Sequence, residues 1–450
     1  MKWLRYVVAM AIAVVLSLVI APKAWAFCGF YVAKADSKLY NQASQVVIAR
    51  SGDRTVLTMA NDYQGEVKDF AMVVPVPTVI TEKDVRVTDL KIMERLDAFS
   101  APRLVEYFDP DPCAQPRFAE FDRLNGAPVP SAAPAPLASR QKKDLGVTIE
   151  SKFSVGEYDI LILSAKESNG LETWLQQNGY KTPKGAAPLL KPYIRQKMKF
   201  FVAKVNLDKF DSSGFSNLRP LQISYASPRF MLPIRLGMVN AKEAQDLIVY
   251  ILSPKGRAEV TNYRTVQVPS NTEVPEFVKS EFGDFYKSMF NTSYDKEDRR
   301  VAFLEHAWDM AGCDPCSAEP LSLEEQKQAG VFWLPQENEQ IRGEYPRVFL
   351  TRLHVRYTRD RFPEDLMFQS TNNQESFQGR YVMNHPFMGE AKCDRGRQYK
   401  RELPARLEKE AQNLAKLTGW NIQDLRKKLP KVDLSGLTWL DRFRMGLFAR

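Results

Sequence analysis

The sequence predicts an α+β fold built mainly of antiparallel strands, with helices interspersed between them and a helical C-terminal tail. Short apolar runs recur along the chain and are separated by turn residues, which is typical of meandering strands. Segments with helical periodicity lie between these runs. The 450 residues are 44% hydrophobic and 26% charged, so there is enough apolar side chain for a packed core, and extensive disorder is excluded.

Residues 1–26 have the pattern of a secretory signal peptide. Lys2 and Arg5 precede an apolar run that is shorter than the ~20 residues of a membrane-spanning helix. Ala24 and Ala26 have the spacing of an A-x-A cleavage site, so the mature chain is expected to begin at Phe27. The alternative is an uncleaved anchor helix. Cleavage predicts an exported protein, in the periplasm or in a thylakoid lumen if the organism has one.

Export changes the interpretation of the formal net charge of +9. Three positive residues leave with the signal peptide. Residues 392–450 carry 15 Lys or Arg against seven Asp or Glu, so the basicity lies in the tail and residues 27–391 are close to neutral. A near-neutral exported body excludes nucleic acid as the expected partner.

The N-terminal α+β region, residues 27–124, begins with a predicted hairpin. Residues 45–50 and 55–60 are apolar runs joined by a turn that contains Gly52.

A third strand and a helix follow the hairpin. The strand at residues 70–77 contains Pro75 and Pro77, which place its end at an edge or rim of a sheet. Thr88 is the predicted N-cap of a helix over residues 89–99, whose apolar residues recur with helical spacing.

Two further regions follow a stretch rich in Pro and Ala. Residues 125–145 are predicted to be a linker or an exposed loop. Residues 146–391 form the main α+β region, and residues 392–450 form the basic helical tail.

Strands are predicted at residues 147–150, 158–163, 200–206, 221–227, 247–252 and 348–357. Helices are predicted at residues 170–178, 275–289, 301–310 and 404–417, with short helices opening at Ser322 and Asn421.

All five cysteines follow the predicted cleavage site, and the default state of exported cysteines is the disulfide. They are Cys28, Cys113, Cys313, Cys316 and Cys393. Five cysteines allow at most two bridges, and the pairing stays open. Cys28 and Cys113 bracket the first strand–helix unit and would close a long loop if they were joined.

Cys313 and Cys316 also form a C-x-x-C motif, for which two chemical roles are considered. A thioredoxin-like site needs the motif at a helix N-terminus after a strand, but here a predicted helix precedes it. A metal site would use His306, Cys313 and Cys316, yet their spacing matches no known zinc pattern. Structural disulfides are the favoured interpretation, and no cofactor is expected.

No constellation of catalytic residues is predicted. The sequence contains no G-x-S-x-G elbow and no phosphate-binding glycine loop. His354 alternates with Leu353 and Val355 and is interpreted as a sheet residue. The run from Asp109 to Cys113 is interpreted as a rigid exposed turn. An enzyme is therefore not the favoured class.

Residues 437–450 mix large apolar side chains with arginines. As an amphipathic segment they are candidates for contact with an anionic membrane surface or with a partner. The candidate residues are Trp439, Arg442, Phe443, Arg444 and Phe448. The alternative is that this segment packs on the body with its arginines in solvent.

The predicted mature N-terminus, Phe27-Cys28-Gly29-Phe30-Tyr31-Val32, resembles the start of a family of exported bacterial proteins called domain of unknown function 2330. Other similar stretches are residues 43–47, 55–64, 73–76, 101–113, 172–180, 227–236 and 313–316. The resemblance implies an exported protein with recurring cysteines and no assigned activity. It supplies no catalytic residues.

The sequence therefore predicts a non-enzymatic, disulfide-stabilised exported protein that binds an unidentified protein or a cell-envelope component. One alternative is a thiol–disulfide or metal-dependent activity centred on Cys313 and Cys316. The other is a peripheral membrane protein anchored by its C-terminal segment.

Overall fold

The computed structural model describes most of the chain between residues 30 and 432. The described residues are 30–31, 40–41, 44–60, 63–64, 71–114, 146–178, 186–213, 218–239, 244–314, 318–335 and 346–432. The predicted signal peptide and cleavage site, Cys28, residues 125–145, Cys316 and the segment 437–450 lie outside them.

Strands and helices alternate along the described residues. The strands are β1 (Phe30–Tyr31), β2 (Tyr40–Asn41), β3 (Ser44–Ser51), β4 (Arg54–Met59), β5 (Tyr63–Gln64), β6 (Ala71–Val76), β7 (Val85–Val87), β8 (Arg103–Phe108), β9 (Val147–Val155), β10 (Tyr158–Ala165), β11 (Lys199–Val205), β12 (Leu221–Ala226), β13 (Met231–Leu232), β14 (Gln245–Ser253), β15 (Ala258–Val260), β16 (Arg264–Gln267), β17 (Thr272–Glu273), β18 (Val301–Asp309), β19 (Phe349–Tyr357), β20 (Leu366–Ser370), β21 (Phe377–Gln378) and β22 (Arg380–His385). The helices are α1 (Lys91–Ser100), α2 (Ser168–Gln177), α3 (Ala186–Arg195), α4 (Leu207–Ser213), α5 (Phe282–Lys296), α6 (Leu323–Gln328), α7 (Asp394–Thr418) and α8 (Ile422–Lys428), with 3-10 turns at Glu82–Asp84, Arg235–Val239 and Glu276–Lys279.

The predicted fold class is confirmed: the chain is α+β, its strands pair mostly antiparallel, and its C-terminal region is helical. The largest sheet has the order β16-β18-β19-β14-β3-β4-β12-β7, with β21 paired to β18. Only β14–β3 and β16–β18 are parallel among the pairs described in this sheet. Because β3 and β4 precede residue 124 while β12, β14 and β19 follow residue 146, both regions build the same sheet.

A second sheet packs against the large one. Its order is β1-β6-β11-β10-β9. Ile48 and Leu57 of the large sheet share one buried cluster with Val74, Ile160 and Phe201 of the second sheet. This cluster is the main apolar core, in which two sheets face each other as in a sandwich.

Helices cover the outer faces of both sheets. Buried side chains of α2 and α3 pack on the outer face of the second sheet. Those of α1 pack on one part of the large sheet, while α5, backed by α7 and α8, covers the part formed by β18. The large sheet is therefore buried on both sides over much of its area.

Residues 301–310, predicted to be helical, form the strand β18 instead. Ala302 and Leu304 face the core between the sheets, whereas Val301 and Phe303 face α5. A strand covered on both faces is apolar at successive positions, so it lacks the alternation by which strands are recognised. The prediction of a helix was wrong for this reason.

Two helices also begin at residues other than the predicted ones. The helix predicted from residue 275 begins at Phe282, after the 3-10 turn Glu276–Lys279. The N-cap of α1 is Leu90 and not Thr88. The predicted cap at Ser322 is confirmed: its hydroxyl accepts a hydrogen bond from the Glu325 amide.

A disulfide joins Cys113 to Cys393, 280 residues further along the chain. Cys393 is the N-cap of α7, so the bond fastens this long helix to the loop after β8. The pairing of Cys113 with Cys28 that was considered above is therefore wrong. Cys313 is also disulfide-bonded, to a partner outside the described residues.

Polar contacts reinforce this attachment of α7. The Asp109 carboxylate accepts a hydrogen bond from the Tyr399 hydroxyl (2.5 Å) and lies 2.7 Å from the Arg406 guanidinium. The turn that begins at Asp109 thus holds α7 by ionic and covalent contacts together.

No helix in the described part of the chain is both long and apolar enough to cross a membrane.

Replacing Cys113 and Cys393 by serine is expected to lower the free energy of unfolding by about 2–5 kcal/mol, because the bond restricts the unfolded chain over a long loop. Urea unfolding followed by circular dichroism without reductant measures the difference. Adding dithiothreitol to this double variant then reports the separate contribution of the Cys313 bond. An unchanged midpoint in the double variant would show that the Cys113–Cys393 bond does not stabilise the fold.

Candidate functional site

One face of β19 carries a buried stripe of polar side chains. Arg352, His354 and Arg356 alternate with Leu353 and Val355, which lie in the core between the sheets. The polar face is covered by α1 and α5. As a result the Arg352 and His354 side chains are only 7% and 11% exposed.

Glu305 of the neighbouring strand β18 is the centre of a charge cluster that includes Arg352 and His354 of this stripe. It lies at a register shift between Leu304 and His306, the mark of a β-bulge. Its carboxylate accepts hydrogen bonds from Arg352 Nε (2.6 Å) and from the Tyr286 hydroxyl of α5. His354 Nδ1 lies 2.8 Å from the same carboxylate.

The stripe reaches the surface in two directions. On one side, Arg352 also donates to Asp97 of α1 (2.7 Å), whose side chain is 43% exposed. On the other, His354 Nε2 lies 3.2 Å from Asp246, which accepts two hydrogen bonds from Arg356. The contacts form a continuous chain of alternating charges through the interior.

Electrostatics keep the central groups ionised despite their burial. Burial alone would raise the pKa of Glu305, but Arg352 and His354 lower it to about 2. Burial alone would lower the pKa of His354, but Glu305 and Asp246 raise it. Both ring nitrogens of His354 face carboxylates, so the imidazolium is held between them and is not free to act as a base. The cluster therefore joins β18, β19, α1 and α5.

His306, one of the candidate metal ligands, is buried beside this cluster. Its ring packs edge-on against Phe99, and within the described residues neither ring nitrogen has a hydrogen-bond partner. Burial, together with the charges of Arg103 and Arg352, lowers its pKa to about 3, so the ring is neutral at physiological pH.

Of the two cysteines considered as metal ligands with His306, the described one is not a free thiolate. Cys313 is disulfide-bonded, and Cys316 lies outside the described residues. Within the described ranges, no group of three or more His, Cys, Asp and Glu is placed to hold a metal ion. A strand and not a helix precedes the C-x-x-C motif, but the next described helix, α6, begins only at Leu323, so Cys313 is not at a helix N-terminus.

A cleft of about 810 Å³ lies at the β7 edge of the large sheet, and we call it the α6 cleft. Strands β4, β12 and β7 form its floor, and α6 with the loop after it forms a wall. The residues that line it are Arg54, Val56, Lys83, Asp84, Val85, Arg86, Gln222, Ser224, Glu324, Lys327, Gln328, Gly330, Val331 and Phe332. Its volume is within the range of small-molecule sites.

Hydrogen bonds fix the α6 wall on the sheet. Gln222 of β12 donates to the Gln328 carbonyl (3.1 Å), and Arg86 of β7 donates to the Lys327 carbonyl (3.0 Å). From the other side, Arg95 of α1 forms an ion pair with Glu325 (2.8 Å). The wall is thus fastened to two strands and a helix, and the cleft is a preformed feature.

Gly330 lets the loop after α6 lie close to the cleft floor. Its φ is +100°, in the region that favours glycine, and a Cβ there would lie 2.6 Å from Val56 Cγ1. Any side chain at this position would force the loop away from β4.

The fold defines the class of protein: an α+β protein whose two largest sheets pack face to face with helices on their outer faces, with a buried charge cluster and a disulfide that fastens α7. The chain belongs to the bacterial family DUF2330, described as uncharacterized proteins conserved in bacteria, whose model matches residues 22–369. The predicted family resemblance is thereby confirmed. No curated protein and no solved structure matches the chain.

Sequence reasoning missed the charge cluster and the α6 cleft. One signal was available for the cluster: Glu305 is an acid inside the otherwise apolar run of β18, and buried acids need partners. The cleft had no such signal, because its lining comes from four separate segments of the chain.

Replacing Glu305 by glutamine is expected to lower the free energy of unfolding by about 3–5 kcal/mol, since Arg352 and His354 would lose their shared buried counter-ion and keep only the more exposed Asp97 and Asp246. Urea unfolding at pH 7 measures the change. The matched control is Asp295→Asn, which removes an exposed ion pair with Arg299 and is expected to cost less than about 1 kcal/mol. Equal costs for the two variants would contradict the role given to Glu305.

His306→Leu is expected to change how stability depends on pH. Its folded pKa of about 3 is below the unfolded value of about 6.5, so between these values the unfolded chain binds a proton that the folded chain does not. The contribution of His306 should therefore lower the free energy of unfolding of the wild type by up to about 1.4 kcal/mol for each unit by which the pH is decreased. This contribution should vanish in the variant. Urea unfolding at pH 7, 6 and 5 measures both slopes. Identical slopes would show that His306 is protonated in the folded protein.

Proposed function

We propose that the chain is an exported, disulfide-stabilised protein of the bacterial cell envelope that binds a ligand and catalyses no reaction. The observation that supports export most directly is the bond between Cys113 and Cys393. Disulfides of this structural kind persist in oxidising compartments and are rare in the cytosol. The signal-peptide pattern of residues 1–26 points to the same compartment.

The α6 cleft supports the binding part of the proposal. It is concave and large enough for a small molecule, and it has both polar and apolar lining. Its wall is fixed by hydrogen bonds from two strands, so a ligand would meet a preformed site at little cost in ordering.

The polar residues that resemble catalytic groups lie elsewhere and are occupied. His354 has a carboxylate on each ring nitrogen, and the Glu305 side chain is 1% exposed. A substrate has no access to these groups in the folded protein. This argues for binding over catalysis.

Membrane contact through Trp439, Arg442, Phe443, Arg444 and Phe448 stays a prediction, since these residues lie outside the described part of the chain.

Expression of the full chain in a bacterium tests the proposed export. The chain is expected in the periplasmic fraction with Phe27 as its first residue, as read by N-terminal sequencing and intact mass. Ala26→Pro should block processing and leave the precursor in the membrane fraction, because the cleavage site needs a small residue there. The matched control Ala21→Ser lies outside the cleavage positions and should be processed normally.

Two results would overturn this proposal. An unprocessed wild-type chain in the membrane would favour the uncleaved anchor. A chain that stays in the cytosol with free Cys113 and Cys393 would exclude export altogether.

A further inference from the structure

We infer that the α6 cleft binds a small anionic molecule, whose carboxylate or phosphate group lies among Arg54, Lys83 and Lys327. This inference rests on the proposed binding function and adds to it the chemical class of the ligand. The supporting observations are the charged side chains that line the cleft and the contacts that these side chains make.

The three cations have no acidic partner in the described part of the protein. Arg54 and Lys83 are exposed and Lys327 is half-buried. Arg54 lies over the ring of Phe332, with its guanidinium carbon 4.5 Å from the ring centroid, and forms no ion pair with a described residue. The ammonium groups of Lys83 and Lys327 likewise have no hydrogen-bond or ion-pair partner among the described residues.

The two acids of the cleft are engaged by other groups. Asp84 accepts hydrogen bonds from the Thr81 amide and hydroxyl, where it closes the 3-10 turn. Glu324 accepts a hydrogen bond from Gln328 (3.2 Å). Neither carboxylate is bonded to one of the three cations.

The fourth cation, Arg86, is used for structure. It donates to the Gln222 side chain and to the Lys327 carbonyl (3.0 Å), which holds α6 on the sheet. The cleft is therefore lined by four cations and two carboxylates, and its net charge is positive. A concave surface with a net positive charge concentrates anionic ligands.

The floor of the cleft adds an apolar part to the site. Val56 and Val331 are buried there, and Phe332 is half-buried beneath Arg54. The Ser224 side chain lines the same floor as a hydrogen-bonding group. This combination fits an organic anion with a compact carbon body better than it fits a bare inorganic ion.

Isothermal titration of the full mature chain tests the inference. The probes are succinate, inorganic phosphate, sucrose as an uncharged molecule of similar size, and vesicles of phosphatidylglycerol. We expect succinate to bind with a Kd below about 10 mM, phosphate to bind more weakly, and both affinities to fall as salt is added.

The diagnostic variant is Lys83→Gln with Lys327→Gln, which should weaken succinate binding at least tenfold. The matched control, Lys152→Gln with Lys191→Gln, removes the same charge from two exposed lysines outside the cleft. It should bind as the wild type does. Lys83, Lys152 and Lys191 are exposed, and Lys327 is half-buried with no described partner for its ammonium group. Both variants should therefore keep the wild-type thermal midpoint, which serves as the test of folding.

Several outcomes would overturn the inference. Absence of binding by either anion would reject it, as would equal weakening in the control variant. Binding of vesicles without binding of succinate or phosphate would show a membrane surface as the ligand. Binding of sucrose alone would keep the proposed binding function while rejecting an anionic ligand. Failure of the proposed function itself is read separately, from the location and processing of the chain.

Discussion

The buried carboxylate of Glu305 is the constraint on which the packing around β18 depends. An ionised carboxylate inside a protein costs several kcal/mol unless charges and hydrogen bonds surround it. Here Arg352 and His354 come from the neighbouring strand, and Tyr286 comes from the helix above. Because these contacts have fixed geometry, they define where α5 lies on the sheet. The apolar cluster between α5, α7 and α8 is then built on a helix whose position is already determined.

The sequence was informative where one element decides its own structure. The hairpin of β3 and β4 was predictable from two apolar runs and Gly52, which has a φ of +56° in the turn. The capping box of Ser322 and Glu325 likewise marked the start of α6. Both features depend on residues that are close in the chain, so local pattern was sufficient.

Tertiary packing decided the features that the sequence left hidden. Arg352, His354 and Arg356 alternate with apolar residues as they would on a solvent-facing strand, and only the helices above them make that face interior. Strand β18 is the opposite case. It is covered on both faces, so its residues are buried at successive positions and the alternation typical of a strand is absent. The cysteine pairing and the α6 cleft join segments that are far apart in the chain. No spacing rule connects such segments, so neither feature was predictable.

The bond between Cys113 and Cys393 has a consequence for the order in which the protein matures. A chain is synthesised from its N-terminus, so Cys113 emerges 280 residues before the cysteine it must join. In an oxidising compartment an early thiol reacts with whichever cysteine is near, through thiol–disulfide exchange. Cys28 and Cys313 both emerge before Cys393. If the chain is exported as proposed, Cys113 must therefore either stay reduced until α7 arrives or release a transient bond by thiol–disulfide exchange.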